Sequence, residues 1–590
     1  MKKIFALAFA ALFLVSCNMD FYSSDAMTSS QLADNPSSAV YTTDGVYSLF
    51  KDFLAYKGES EDYPNGRNQY LRHWFQITEL RSDNVTVSGT TSDPFIHPYD
   101  FQDVPTEENI YYTWWLAYKV IYGANSNIAA IKPGVTDLND HLLGENYFLR
   151  AFAHFQLVNL FAMPYVYWKD HPDALGIIMR NGMESYGGEI KRSTVGEIYD
   201  FIVEDLKEAQ KYLTNDAVRT DKCYVSLDAA KALLARVYLN MEMNQECLDI
   251  CNDLLSHAPS AVTGTYDYVA FPAATYASDE TIWCIRTSTS DKFYSTHPQS
   301  SVSSMYYDDS DLERYDGDTG WGEHYWSEEL IELFQRYPGD RRFDAYFVQP
   351  APTNDGKVMV TFPIKTKSSN TYCSSGIVHG LTPNADGSVD FTYKGKKCTA
   401  TPTLNAGGYT EYIVDTPGFV SNSDGGAVQK RVYVRPDGTA RQNSGDYVIY
   451  FNTKFAGQEG KSNLTSPAML RWGEVVLNRA EAKYKLQDKA GALDDVNIIR
   501  KRAGLPDDAM FSAANMHGYT DELDVVLDER RMEFCFEGIR YFDLLRNRRG
   551  IDRRYVGFHE FTIIPWDDPR IALLIPLDEI NTSHIPQNRE

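Results

Sequence analysis

A mainly α fold is predicted by the sequence, with paired helices first and an irregular, loop- and hairpin-rich C-terminal part after them. Three observations carry that expectation. From about residue 113 to 255, apolar residues recur every three or four positions, the period of a helix buried along one side. Residues that cap helix N-termini stand just before several of these runs. Between about 286 and 465 the period disappears and Gly, Ser, Thr, Asp and Asn dominate. A chain of 590 residues buries a large core without help from a metal or disulfide. Its net charge of -25 repels nucleic acid and anionic membrane surfaces, which removes polyanion binding from the possible functions.

Lys2 and Lys3 precede an apolar run, Ile4 to Val15, of signal-peptide length and too short to span a bilayer. LVSC, Leu14 to Cys17, resembles a bacterial lipobox. Residues 1–16 then form a signal peptide, and Cys17 becomes an acylated N-terminus. The alternative is an ordinary signal peptide with a chance cysteine. Residues 17–40, rich in Ser, Asp and Asn, form the tether.

An N-terminal helical region follows over 41–285. Thr113 to Ile131 sets Trp114, Tyr118, Ile121, Asn125 and Ile128 on one stripe, and Phe148, Phe152 and Phe155 do the same for the next helix. Pro164 ends that run. Thr194 with Glu197 forms a capping box, and Ser226 caps the helix after it. Short breaks between the runs indicate antiparallel pairs that stack in a TPR-like way, although no strict repeat of about 34 residues is present.

The C-terminal region, 286–590, contains a loop- and β-rich insertion at about 345–465, where KVMVTFPI and QKRVYVRP alternate like hairpin strands. Helices resume at Ala468. The stretch ERRMEFCFEGIRYFDLLR, Glu529 to Arg546, joins carboxylates to arginines as an active site can. Helical spacing gives it a plainer reading. Met532, Phe536, Ile539 and Phe542 form a buried stripe, and Glu529, Glu533 and Glu537 an exposed ridge of intrahelical ion pairs, each worth about 0.2–0.5 kcal/mol. Gly538 costs about 1 kcal/mol in a helix interior, which points to a close contact or a break. Of the cysteines, Cys247 and Cys251 lie four apart on one helix, a poor geometry for a disulfide; Cys373 and Cys398 are free to pair or not.

Glu529 to Arg546 also resembles the C-terminal hallmark of the SusD/RagB family of outer-membrane lipoproteins. ENYFLRAFAHFQLVNLFAMPYV, LDAAKALLARVYLNM, LFQRYPGDRRF, AMLRWGEVVLNRAEAKYKL, ALDDVNIIRKRAGLP and IPLDEINTSHIPQN resemble further family blocks, in family order. The resemblance implies a TPR-like helical body, a position on the outer face of the outer membrane, and a SusC-type TonB-dependent transporter as partner. It implies a lid that binds nutrient, usually an oligosaccharide, above the transporter pore, and no enzyme activity.

Sugar recognition needs flat aromatic faces and polar side chains on loops. Met305 to Leu330 is rich in both: Tyr306, Tyr307, Tyr315, Tyr325 and Trp326 are candidates, and Trp321, set between Gly320 and Gly322, is the first choice. A second set lies in Glu79 to Gln102, with Asp83 and Asn84 as polar contacts and Phe95, His97 and Tyr99 as faces. Asp83 has a competing reading as a helix cap. Trp74 is expected in the core; of Trp114 and Trp115, one packs and one reaches the surface. No cofactor is expected. DGDTG, Asp316 to Gly320, fails the EF-hand pattern because Gly320 and Trp321 hold its fifth and sixth positions, which leaves only an irregular calcium site. Rival functions are the same architecture with peptide cargo, a glycoside hydrolase, whose carboxylates obey no sequence spacing, and a purely structural partner of the transporter.

Overall fold

The computed structural model describes residues 37–589 apart from 53, 56–68, 88–90, 92–94, 184–189, 263, 265, 292–293, 295–300, 308–319, 349–354, 366–373, 406–407, 438–449 and 558. Cys17, the signal peptide and the tether up to residue 36 therefore lie outside the described residues, as do Cys373 and Asp316.

The N-terminal half is α1 (Ser38–Ser48), α2 (Tyr70–Leu80), β1 (Val85–Val87), α3 (Ile96–Tyr99), α4 (Glu108–Ala130), α5 (Asp137–Phe161), α6 (Tyr165–Asp170), α7 (Val195–Tyr212), α8 (Leu227–Asn240) and α9 (Asn244–Leu255). The expected caps are present. Thr194 and Glu197 form the full capping box of α7, and the Ser226 hydroxyl accepts from Ala229 N–H. α7 buries Ile198, Ile202, Leu206 and Ala209 along one side. Consecutive long helices pack against one another from α4 through α9. Phe148 and Phe152 meet Trp283 edge-on, with ring centroids 5.0 Å apart in each case.

Trp283 belongs to β2 (Thr281–Cys284). Then come β3 (His324–Trp326), α10 (Glu328–Gln335), α11 (Arg341–Tyr346) and β4 (Phe347–Val348). The insertion is more regular than its composition suggested. β5 (Val358–Ile364), β6 (Ser374–Leu381), β7 (Val389–Tyr393), β8 (Lys396–Leu404), β9 (Thr410–Ile413) and β10 (Arg431–Pro436) form one antiparallel sheet in the order β6-β5-β10-β9-β8-β7. It has its own small core around Phe362, Phe391, Cys398 and Phe419. After β11 (Phe451–Asn452) and β12 (Ala468–Arg471), which pair with β4 and β2, the helix stack resumes with α12 (Trp472–Lys485) against α9. It continues through α13 (Lys489–Arg502) and α14 (Glu522–Glu533), followed by α15 (Arg540–Arg546) and, near the C-terminus, α16 (Leu577–Ser583).

Two expectations for Glu529 to Arg546 are corrected here. There is no single helix: α14 stops at Glu533 and α15 starts at Arg540, with Phe536 (φ 66°) and Gly538 (φ 70°) in left-handed backbone between them. The Glu79 carboxylate holds this turn, accepting N–H bonds from both Phe536 and Gly538 at 3.0 Å. A Cβ at Gly538 would lie 2.2 Å from the Thr78 hydroxyl, so the glycine permits both the turn and the close approach. Nor is the acidic row exposed. Glu529 and Glu533 are buried, and their partners come from distant segments: Arg342 and Arg500 bind Glu529, while Arg342, Arg471 and Arg502 bind Glu533. Helical spacing detects neighbours on one helix and is blind to guanidinium groups brought in by packing.

Candidate functional site

β1 and β3 form an antiparallel ribbon in which Val85 faces Trp326, Thr86 faces Tyr325 and Val87 faces His324. Just before β3, the chain turns outward at Trp321. Its N–H and that of Gly322 both donate to the Ser304 carbonyl, at 2.6 and 3.1 Å. A Cβ at Gly320 would sit 2.2 Å from the Tyr307 carbonyl oxygen and 2.4 Å from that of Ser304, so only glycine lets the strand press this close. The backbone is thus pinned while the indole is 58% exposed. Two residues on, the half-buried Glu323 carboxylate accepts from the Thr91 hydroxyl. An exposed indole face on a pinned backbone is suited to a ligand with apolar C–H faces.

The other candidates do not join Trp321 at the surface. Trp326 is buried among Phe334, Phe343, Phe347 and Phe536. Tyr306 is enclosed by His324, Phe455 and Phe536, while Tyr307 and Tyr325 pack on Phe451. β3 is covered on both faces, so both alternating sets of its side chains are core. Tyr315 lies outside the described residues.

In the second set, Asp83 is buried in a two-bond pair with Arg540, at 2.8 and 2.9 Å, and lies 3.6 Å from Arg531. Burial by itself raises its carboxyl, but Arg531 and Arg540 outweigh that and hold it well below the usual carboxylate range. It caps no helix. Asn84 donates to Glu79 at 2.7 Å and accepts from Arg531 at 2.8 Å. Tyr99 and Phe95 are buried, Tyr99 beneath the Arg553 guanidinium, and His97 pairs with Glu107 at 2.6 Å. Asp83, Asn84 and Tyr99 therefore fasten the N-terminal half to the C-terminal half rather than face a ligand.

Trp74 and Trp114 are core, as expected, and Trp115 is half-buried. Beside Trp115, a cavity of about 830 Å³ is lined by Tyr111, Tyr118 and Tyr122 of α4, by Ile178, Arg180 and Met183, and by Glu579 and His584 at the C-terminal end. The sequence stripe already holds four of the lining residues, Trp114, Tyr118, Ile121 and Asn125, but helical periodicity alone marks such a stripe as core. The available signal was the further aromatics Tyr111, Trp115 and Tyr122, which widen that stripe beyond what a core contact needs.

Two family models match this chain. Residues 279–569 match the SusD family, and residues 64–239 match a family described as starch-binding and associating with the outer membrane. The chain belongs to the SusD/RagB family. The SusD-family match spans the whole six-stranded insertion as well as α10 to α15. Among curated SusD-like relatives, protein P38 of Formosa agariphila is 23% identical over 517 residues, covering 84% of each chain. Protein P25 of the same organism is 27% identical over 248 residues, 41% of this chain and 43% of that one. A SusD superfamily crystal structure from Bacteroides thetaiotaomicron aligns over 94% of this chain and 99% of its own, with TM-score 0.63 and 21% identity. A structure described as a laminarin-binding SusD-like protein aligns over 94% and 99%, with TM-score 0.57 and 18% identity. These likenesses establish the fold shared with SusD-like proteins.

Proposed function

We propose that this SusD-like chain is a lipid-anchored protein of the outer face of the outer membrane. It binds oligosaccharide and hands it to a SusC-type TonB-dependent transporter, over which it closes as a lid. The observation that carries the reading is Trp321, an indole held open to solvent by a glycine-dependent turn. Membership of a family that includes starch-binding outer-membrane proteins supports it, as does the fold shared with a laminarin-binding relative. Binding, closure and release need no covalent chemistry, so the chain acts as a carrier and not as an enzyme. Affinity is modest, because the ligand must leave again for the transporter.

Affinity electrophoresis through gels containing laminarin, starch, xylan or mannan tests this reading, with reducing ends assayed in parallel. Retardation in at least one gel without new reducing ends is expected. New reducing ends would make the chain a hydrolase. Nanomolar binding with very slow release would rule out a role in hand-over.

A further inference from the structure

The cavity beside α4 shares no lining residue with the Trp321 face. Tyr111, Trp115, Tyr118 and Tyr122 follow one another at spacings of four, three and four, a run of about 16 Å along the helix axis. Trp114 and Ile121, which the same helix buries, form the inner edge of the cavity beside this run. Tyr122 is 65% exposed. Tyr111, Trp115 and Tyr118 are half-buried, with the Lys119 ammonium 4.6 Å from the centre of the Trp115 ring, so the stripe opens to solvent at its Tyr122 end.

The walls are fixed before anything binds. The Tyr118 hydroxyl donates to the Ile178 carbonyl at 2.8 Å. The Asn125 amide donates to the carbonyls of Arg180 and Gly182, at 3.3 and 3.2 Å, and its oxygen accepts from Arg150 at 2.6 Å. Trp114 Nε1–H donates to Glu579 at 3.3 Å, tying α16 to α4 as the far wall. Preorganisation of this kind lowers the entropy cost of binding. Arg180, Glu579 and His584 add cationic, anionic and imidazole groups at the edge of the aromatic floor. A cavity for an acyl chain would be apolar throughout, and one for a charged peptide would carry one dominant sign. A row of aromatic faces with mixed polar groups beside it matches sugar rings, which offer C–H faces and hydroxyl edges at once.

We propose that this cavity is a second carbohydrate site, separate from Trp321, that stacks successive rings of a glycan chain along α4. It rests on the glycan-binding reading and adds a site to it.

The test labels the full-length chain with fluorotryptophan and follows the Trp115 and Trp321 resonances by fluorine NMR. Each is assigned by a Trp→Phe variant and titrated with millimolar laminarihexaose, maltohexaose and cellohexaose. The Trp115 resonance is expected to shift with at least one hexasaccharide and to keep that response in Trp321→Ala. Tyr122→Ala, at an exposed position that folding does not need, is expected to weaken the Trp115 response by about tenfold while leaving the Trp321 response within about twofold. A silent Trp115 beside a responding Trp321 overturns the second site and leaves the general function standing. Loss of the Trp115 response in Trp321→Ala overturns its independence. Silence at both positions contradicts both readings.

Discussion

Trp321 and Trp326 stand five positions apart and differ wholly in exposure, 58% against 1%. Trp321→Ala is expected to change stability by no more than about 0.5 kcal/mol, whereas Trp326→Ala costs about 3–5 kcal/mol through the cavity left among four phenylalanines. Urea unfolding of the two variants separates them. Glu533 makes the same point for charge. Its carboxyl, which burial alone would raise, is held well below the ordinary range by Arg502, Arg471 and Arg342. Glu533→Ala removes a carboxylate shared by all three buried guanidinium groups, which keep Glu529, Glu537 and Glu280 as partners, and is expected to cost about 3 kcal/mol, read from the shift in urea midpoint. The exposure of Trp321 was legible in the sequence because the glycines beside it are local. The sequence reading misjudged Tyr306, Tyr307, Tyr325 and Trp326 because loop-like composition says nothing about what packs over a strand.

Elements show the same division between local and long-range information. The caps of α7 and α8 are set by residues within one turn, and the sequence placed them correctly. Gly538 signals the break between α14 and α15, but Glu79, which holds it from more than 450 positions away, is a partner that no periodicity reveals. Glu79→Gln removes one acceptor from a buried site and is expected to cost about 1–3 kcal/mol, with faster hydrogen exchange at Phe536 and Gly538 as the local signature. The insertion allows a different test. Val358 and Pro436 are cross-strand partners, so the sheet leaves the body and returns to it at adjacent points, and its core is its own. Replacing 358–436 with a short Gly-Ser linker should preserve the helical circular dichroism and a cooperative melt. Collapse of the helical signal would show that the body needs the sheet.

Across the whole molecule, buried ionisable groups set the response to acid. Burial lowers His154 and His559 to about 3, so each stays neutral in the folded chain well below its unfolded value near 6.5. Burial would raise Asp83, Glu481 and Glu533, but neighbouring arginines outweigh it and depress all three, Glu481 to about 2. A depressed carboxyl contributes stability that is complete above its unfolded value near 4 and is lost as pH falls toward the folded value. Glu79 works in the opposite sense, since burial pushes it up to about 7, so its share is complete below about 4 and declines as pH rises through 7. Below about pH 4 only the destabilising groups still titrate, and the melting temperature is expected to fall steeply there. A flat profile from pH 5 to 2 would show that these pairs are not formed.

Trp321 is proposed to hold a glycan that the protein binds without cutting. Calorimetric titration of the wild-type chain and Trp321→Ala against the same oligosaccharide panel tests that proposal most directly. Heat of binding without release of product is expected for the wild type, and reduced heat for a Trp321→Ala variant that melts at the wild-type temperature. Undiminished binding by Trp321→Ala, or hydrolysis of the titrant, would contradict the proposal.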